Sequence, residues 1–151
     1  MSSTSPLLMH KYLLPMVAIL GFSLFAECGS QSSDIPSAGS VVNPLPPCPD
    51  SPNCIRITKE IDNSVDTIFS AALRVLQDME PVTLKKSQKE WKLETVFKVF
   101  LFRDDMVVQV NKKDSTSSYL HIRSASRVGE SDLGVNTRRV KKFLKKLQSK
   151  L

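Results

Sequence analysis

The apolar residues of this chain change their spacing twice between residues 65 and 151, and these changes restrict its fold more than any other feature. In the first stretch they recur at helical intervals, at Val65, Ile68, Phe69, Ala72, Leu73 and Leu76. A stripe of this kind is typical of an amphipathic helix. Three candidate N-cap residues precede it, Asp62, Asn63 and Ser64. The first stretch therefore predicts a helix that begins near Val65 and ends before Pro81.

The second stretch, from Trp91 to Ser124, alternates apolar and polar residues, as half-buried strands do. Strands are expected over 91–97, 99–102, 106–110 and 119–124, with shorter ones at 55–57 and 82–84. Arg103, Asp104 and Asp105 separate two of the runs, and residues 111–117 have the composition of a turn. The pattern predicts an antiparallel meander.

The third stretch returns to helical spacing, with Val140, Phe143, Leu144, Leu147 and Leu151 on one face. Asn136 or Thr137 is the expected N-cap, and arginines and lysines occupy the other faces. The complete pattern predicts an α+β fold. Its expected form is a small antiparallel sheet of about four strands, with an N-terminal and a C-terminal helix packed on one face.

Before this domain lies a run without charges, Leu13 to Ala26 (LLPMVAILGFSLFA). It is shorter than the roughly 20 apolar residues that a membrane helix needs, and its length suits a secretory signal peptide. Residues 1–27 are therefore assigned to a signal peptide. The stretch around Cys28 resembles a bacterial lipobox, with two departures: Glu27 stands where Gly or Ala is usual, and Phe25 where Leu is usual. Lipidation of Cys28 is expected. Ordinary cleavage after Ala26 is the alternative.

The cysteines support this interpretation, because an exported protein with three of them has one left over after pairing. Residues 28–47 are rich in Ser, Pro and Gly and predict a flexible tether, followed by one domain over 48–151. Cys48 and Cys54 favour a structural disulfide, which would stabilise the domain by about 2.4 kcal/mol. A zinc site would lack ligands, and a redox pair normally has two intervening residues. Lipidation would use the third cysteine, Cys28.

The net charge of +6 bears on partners. An exported basic domain meets anionic lipid or envelope polymer rather than nucleic acid, and the basic C-terminal helix is the expected contact. A solvated lysine surface without a partner is the alternative. The expected location is the bacterial cell envelope, on the periplasmic side or the outer membrane, with a lipid anchor in the membrane.

Two separated segments carry a family resemblance, CPDSPNC over 48–54 and RSASRVGESDLGVN over 123–136. They resemble the two signatures of the bacterial and plastid domain of unknown function 1499, and the resemblance extends over about residues 46–151. That family has no assigned activity, so the resemblance implies no reaction.

The polar residues of these segments and of the sheet form a candidate ligand site or charge network: Asp104, Asp105, Arg123, Arg127, Asp132 and Asn136. One hypothesis is structural, with one aspartate facing solvent, the other paired with Arg123 or Arg127, and the polar loop fixing the last helix to the sheet. The alternative is a small hydrolase, or a site for an anion or small ligand, that uses Asp104, Asp105, Arg127 and Asp132. Adjacent strand residues point to opposite faces, which argues against joint catalysis by Asp104 and Asp105.

Other catalytic patterns are missing from the sequence. His121 lacks a G-x-S-x-G nucleophile, and neither a phosphate-binding glycine loop nor a metal-ligand cluster occurs, so no catalytic residue, cofactor or metal is expected. A non-enzymatic binding or structural module is the leading functional prediction.

Overall fold

The computed structural model describes residues 41–151, which fold into one sheet and two helices. In chain order the elements are β1 (Cys54–Ile61), α1 (Val65–Gln77), β2 (Thr83–Ser87), β3 (Lys92–Val99), β4 (Phe102–Lys112), β5 (Ser118–Ser126) and α2 (Val135–Gln148). The strands lie in the order β1-β5-β4-β3-β2, and every neighbouring pair is antiparallel. The predicted α+β fold is confirmed, with five strands rather than about four.

The N-terminal predictions lie outside the described residues. These are the signal peptide over 1–27, lipidation of Cys28 and most of the tether. Within residues 41–151, neither helix is long and apolar enough to cross a membrane.

Helix α1 begins where the spacing of its apolar residues predicts. The Ser64 hydroxyl accepts the N–H of Thr67 at 3.3 Å, and Asp66 complements the positive end of the helix dipole. The buried face carries Ile68, Phe69, Ala71, Ala72, Val75 and Leu76. Burial of this face against the sheet stabilises the helix far more than the intrinsic propensities of its residues do.

The turn between β3 and β4 differs from the expected one. Val99 pairs with Phe102, so Phe100 and Leu101 form the turn, and Arg103, Asp104 and Asp105 belong to β4. The sequence pattern placed these three charged residues between two strands, at 99–102 and 106–110. In β4 the alternation continues through them, since Asp104 points to the same face as Met106, Val108 and Val110.

Both helices cover one face of the sheet, as predicted. α1 packs over β3 and β4, α2 packs over β5 and β1, and the two helices contact each other. Their core is filled by buried side chains from the sheet and both helices, among them Phe69, Leu76, Met106, Ile122, Phe143 and Leu147.

The opposite face of β1 is covered in part by the segment that precedes Cys48. The Asn43 amide donates to the Ile57 carbonyl at 3.1 Å and to the Thr58 hydroxyl at 3.0 Å, and Leu45 is buried. Asn43 and Leu45, which belong to the stretch assigned to the tether, therefore pack against the domain. Proline-rich composition predicted flexibility here, but side-chain contacts with β1 hold the segment in place.

The predicted disulfide is present between Cys48 and Cys54, whose Cα atoms are 5.6 Å apart. It closes the loop that leads into β1 and ties the end of the N-terminal segment to the edge of the sheet.

Candidate functional site

The most deeply buried charges of the domain are Asp104 on β4 and Arg139 on α2. Arg139 donates from Nη2 to Asp104 Oδ2 at 2.7 Å, and the two side chains are 8% and 3% exposed for Arg139 and Asp104. The guanidinium carbon of Arg139 also lies 4.8 Å from the centre of the Phe97 ring. The pair joins the sheet to α2.

Asn136, one turn before Arg139, is the hub around this ion pair. Its side-chain oxygen accepts from the Ser124 hydroxyl at 2.6 Å and also from Arg139. Its side-chain nitrogen donates to the Asn53 carbonyl at 3.1 Å and to the Ser126 hydroxyl at 3.0 Å. All four hydrogen-bonding positions of the buried amide are thus used. We call these residues the motif cluster: Asn53, Asp104, Ser124, Ser126, Asn136 and Arg139.

The motif cluster brings together the two segments that carry the family resemblance. Asn53, from the disulfide loop, donates its side-chain amide to the Gly129 carbonyl, and its own carbonyl accepts the N–H of Ser126 at 3.0 Å. Segments more than 70 residues apart in sequence are held together by these contacts. Their polar residues therefore have a structural role in the fold.

Asp132 organises the start of α2. Its carboxylate accepts the N–H of Gly134 at 2.8 Å and the N–H of Asn136 at 2.6 Å. The helix begins at Val135 with Gly134 as its N-cap residue, in a left-handed conformation with φ of 74° that favours glycine. The prediction that Asn136 or Thr137 is the N-cap is wrong, because the Asp132 side chain takes that role from two residues before the N-cap. It occupies amides that an anion would otherwise bind.

Asp105 and Arg127 form a second, separate ion pair on the opposite face of the sheet. Three contacts of 2.7–3.1 Å join the guanidinium to the carboxylate, and the side chains are 42% and 50% exposed for Asp105 and Arg127. The two adjacent aspartates thus point to opposite faces, as strand geometry predicts. Of the four residues Asp104, Asp105, Arg127 and Asp132, the structure brings Asp104 and Asp132 to one small cavity, whereas Asp105 and Arg127 lie on the opposite face.

Arg123 belongs to neither ion pair. It lies directly across from Arg56 on the face opposite the helices, and its Nε is buried without a hydrogen-bond partner within residues 41–151. His121, two residues earlier on the same face, is 1% exposed, and its Nδ1 lies 2.9 Å from the Thr58 hydroxyl. Burial, with a smaller contribution from the charge of Arg56, lowers the pKa of His121 to about 4. The histidine is therefore neutral at ordinary pH.

Two surface features complete the candidate sites, and the first is a groove of about 590 Å³ between β1 and α2. Its lysines and apolar side chains define what we call the lysine groove: Lys59, Ile61, Lys141, Leu144, Lys145 and Leu151. In the described part of the chain, none of the three lysines has a carboxylate within 4.0 Å, and the one acid of the lining, Glu60, pairs with Lys113. Two of these lysines, Lys141 and Lys145, lie on the basic C-terminal helix that the sequence predicted as a contact surface. The position of Lys59 beside them is evident only from the fold.

The second surface feature lies where the β3–β4 turn meets the loop between β5 and α2. We call it the apolar end: Phe100, Leu101, Phe102, Val128 and Leu133, all exposed. A small cavity of about 240 Å³ separates the turn from the loop. Among residues 41–151, no group of three or more His, Cys, Asp or Glu side chains is arranged to hold a metal ion.

Comparison with known proteins places the chain in a family. The model of the family described as "Protein of unknown function (DUF1499)" matches residues 44–147, and the chain belongs to this family. No curated protein matches the chain.

Two solved structures show a distant likeness. The di-domain ARO/CYC protein BexL, from the BE-7585A biosynthetic pathway, is 9% identical with a TM-score of 0.44. That alignment covers 65% of this chain and 43% of the BexL chain. A conserved protein from Geobacillus kaustophilus is 11% identical with a TM-score of 0.34, covering 62% of this chain and 91% of the other. Both scores are too low to carry an argument about function.

Proposed function

We propose that this member of the DUF1499 family is an exported, lipid-anchored module of the bacterial cell envelope that binds an anionic amphiphile without catalysing a reaction. The observation that carries the proposal is the lysine groove, in which three cations without acidic partners border an apolar floor. The groove volume of about 590 Å³ lies within the range of small-molecule sites.

The non-enzymatic part of the proposal rests on the motif cluster. Catalytic acids usually line an open cleft and keep hydrogen-bonding capacity for a substrate. Here Asp104 is buried against Arg139, Asp132 binds backbone amides, and Asp105 is paired on the other face. Asp104 and Asp132 both line the cavity of about 240 Å³ at the apolar end, but both carboxylates are already bound, and Asp105 lies on the other face. The hydrolase hypothesis would need all three acids in one open cleft.

The amphiphile is inferred from the chemistry of the groove. Lys59, Lys141 and Lys145 suit a phosphate or carboxylate group, since each ammonium supplies three donors. Ile61, Leu144 and Leu151 suit an acyl chain, because burying apolar surface is favourable by about 25 cal/mol per Å². A polymer that carries only charge would make no contact with these apolar side chains.

A charge-matched pair of variants tests the groove. Replacing Lys59, Lys141 and Lys145 by Gln should weaken binding of a short-chain anionic phospholipid, offered below its critical micelle concentration, by roughly 10- to 100-fold. This expectation assumes the loss of one charged hydrogen bond, worth about 1.5–3 kcal/mol. The measurement is isothermal titration calorimetry at low salt.

The control variant replaces three lysines elsewhere, Lys85, Lys89 and Lys112, and therefore loses the same net charge. Equal weakening in both variants would contradict the groove and indicate general electrostatic attraction. A zwitterionic phospholipid of equal chain length tests the need for negative charge. Polyphosphate tests whether charge alone suffices, and equally tight binding of this polymer would contradict the amphiphile.

Lipidation is tested independently at Cys28. We expect a radioactive fatty acid to label the wild-type chain and not the Cys28→Ser variant, because the cysteine sulfur forms the thioether. Label that persists in the variant, or a mature N-terminus at Glu27, would contradict the anchor.

A further inference from the structure

The apolar end contains five of the eight large apolar side chains that are exposed among residues 41–151. Phe100, Leu101 and Leu133 are 87%, 93% and 84% exposed, and Phe102 and Val128 are also exposed. The remaining large exposed apolar side chains of the described residues, Val42, Val82 and Leu151, do not line the cavity of the apolar end. A contiguous exposed patch of this kind marks an interaction surface, whereas single exposed residues do not.

Two large apolar residues of the apolar end have left-handed backbone conformations. Phe100 has a φ of 54° in a two-residue hairpin turn, where Asn-Gly or another glycine-containing pair is favoured. Leu133 has a φ of 52° in the facing loop. Left-handed conformations are disfavoured for large side chains, and residues held in them cluster at functional positions. Both loops therefore carry strain at the residues that present apolar side chains to solvent.

Charges beside the turn indicate what the apolar end contacts. Lys98 and Arg103 lie directly opposite each other on β3 and β4, and neither has a carboxylate within 4.0 Å in the described part of the chain. Like charges in this position repel each other, so an anionic partner would stabilise them. Of the acids in the facing loop, Glu130 is exposed, and Asp132 is occupied by helix amides.

The shape of the apolar end favours a bilayer over a small ligand. Its cavity of about 240 Å³ is smaller than typical small-molecule sites, and the most exposed side chain, Leu101 at the turn, does not line the cavity. Aromatic and aliphatic side chains next to basic residues are the composition that enters the boundary between lipid headgroups and acyl chains.

We propose that the apolar end inserts into the headgroup–acyl boundary of an anionic bilayer, with Lys98 and Arg103 at the lipid headgroups. This inference deepens the proposed function and rests on its placement of the chain at a membrane. It adds a second contact that orients the domain on the bilayer surface.

Depth-dependent quenching by brominated lipids tests the inference in the full chain. Trp91 is replaced by Phe, which keeps a ring against Phe69, and a single tryptophan is then introduced as Leu101→Trp or Ser115→Trp. Ser115 is exposed in the β4–β5 loop, at the other end of β4, and serves as the control. In vesicles that contain anionic phospholipid, the tryptophan at position 101 should shift its emission to the blue and lose intensity to brominated acyl chains. The tryptophan at 115 should do neither.

The same measurement on the Cys28→Ser chain separates this inference from the anchor. Quenching at position 101 in this variant supports an insertion that does not depend on the lipid anchor. A lipidated, vesicle-bound chain with no quenching at position 101, or with equal quenching at both positions, would overturn the insertion. A blue shift that appears without vesicles and grows with protein concentration would also overturn it, in favour of contact between two copies of the chain.

Discussion

Replacing Asp104 or Arg139 by alanine should destabilise the domain by about 3–5 kcal/mol, because each change leaves the other charge buried and uncompensated. Both side chains are less than one-tenth exposed, so solvent cannot replace the lost partner. Small domains have only about 5–15 kcal/mol of stability in total. Equilibrium unfolding in urea measures the free energy of unfolding of each variant.

The exposed pair provides the matched control for this experiment. Asp105→Ala and Arg127→Ala remove the same residue types from an ion pair that is about half exposed, and should cost less than about 1 kcal/mol. If Asp104→Ala and Arg139→Ala proved as stable as wild type, Asp104 would be better explained as a strained active-site residue.

A decrease of pH from 6.5 to 4 should cost the domain about 3 kcal/mol through His121 alone, since each unit of pKa shift corresponds to about 1.4 kcal/mol. The folded-state pKa is about 4, against 6.5 for an unperturbed histidine. In this window the unfolded chain takes up a proton that the folded chain does not, so the free energy of unfolding falls as the pH falls. The loss from this group levels off as the pH falls through about 4.

The His121→Gln variant isolates this contribution. Glutamine can keep a hydrogen bond to the Thr58 hydroxyl and does not titrate. We expect the stability of the variant to change less than that of wild type between pH 6.5 and 4, with the remaining slope due to carboxylates. Parallel curves for the two proteins would contradict a buried neutral histidine.

The periodic parts of the fold were predictable because burial repeats with the geometry of each element. The stripe from Val65 to Leu76 specified α1, and the alternation of Leu93, Thr95 and Phe97 specified the inward face of β3. The disulfide was predictable from cysteine number and spacing. Each of these signals is local, so it needs no knowledge of the tertiary contacts.

The motif cluster was less predictable, because the sequence around Arg139 makes this residue look like part of the surface. Arg139 stands in a run of basic residues, yet it precedes Phe143 by four positions and therefore lies on the buried face of α2. Only the fold shows that Asp104 is opposite it. The signal that could have revealed the burial of Arg139 is its helical spacing from the apolar residues of α2.

The error at the β3–β4 turn has a different cause. Residues 103–105 were expected to separate two strands and Phe100–Leu101 to lie in one of them, whereas the structure exposes the apolar pair and buries Asp104. Apolar side chains are usually buried and charged side chains exposed, and the structure shows the reverse at both places. Such conflicts between local sequence and fold are expected where function imposes a cost, which agrees with a binding role for the apolar end.

The lysine groove and the apolar end lie at opposite ends of the sheet. Ile61 pairs with Ser118, which also pairs with Lys112 at the far end of β4, whereas Phe102 begins β4 beside the turn. If the apolar end enters a bilayer, the lysine groove lies away from that surface. The groove would then bind its ligand from the aqueous side of the envelope.

The central claim is that the lysine groove binds the ligand and that the motif cluster holds the fold together. The most direct test is a titration of the ¹⁵N-labelled protein with the short-chain anionic phospholipid, followed by amide chemical shifts. We predict that the largest shifts occur at Lys59, Ile61, Lys141 and Lys145, while the amides of Asp104 and Asn136 stay unchanged. Shifts that concentrate instead at Asp104, Asp132 and Asn136 would contradict the account and place the ligand site at the family motifs.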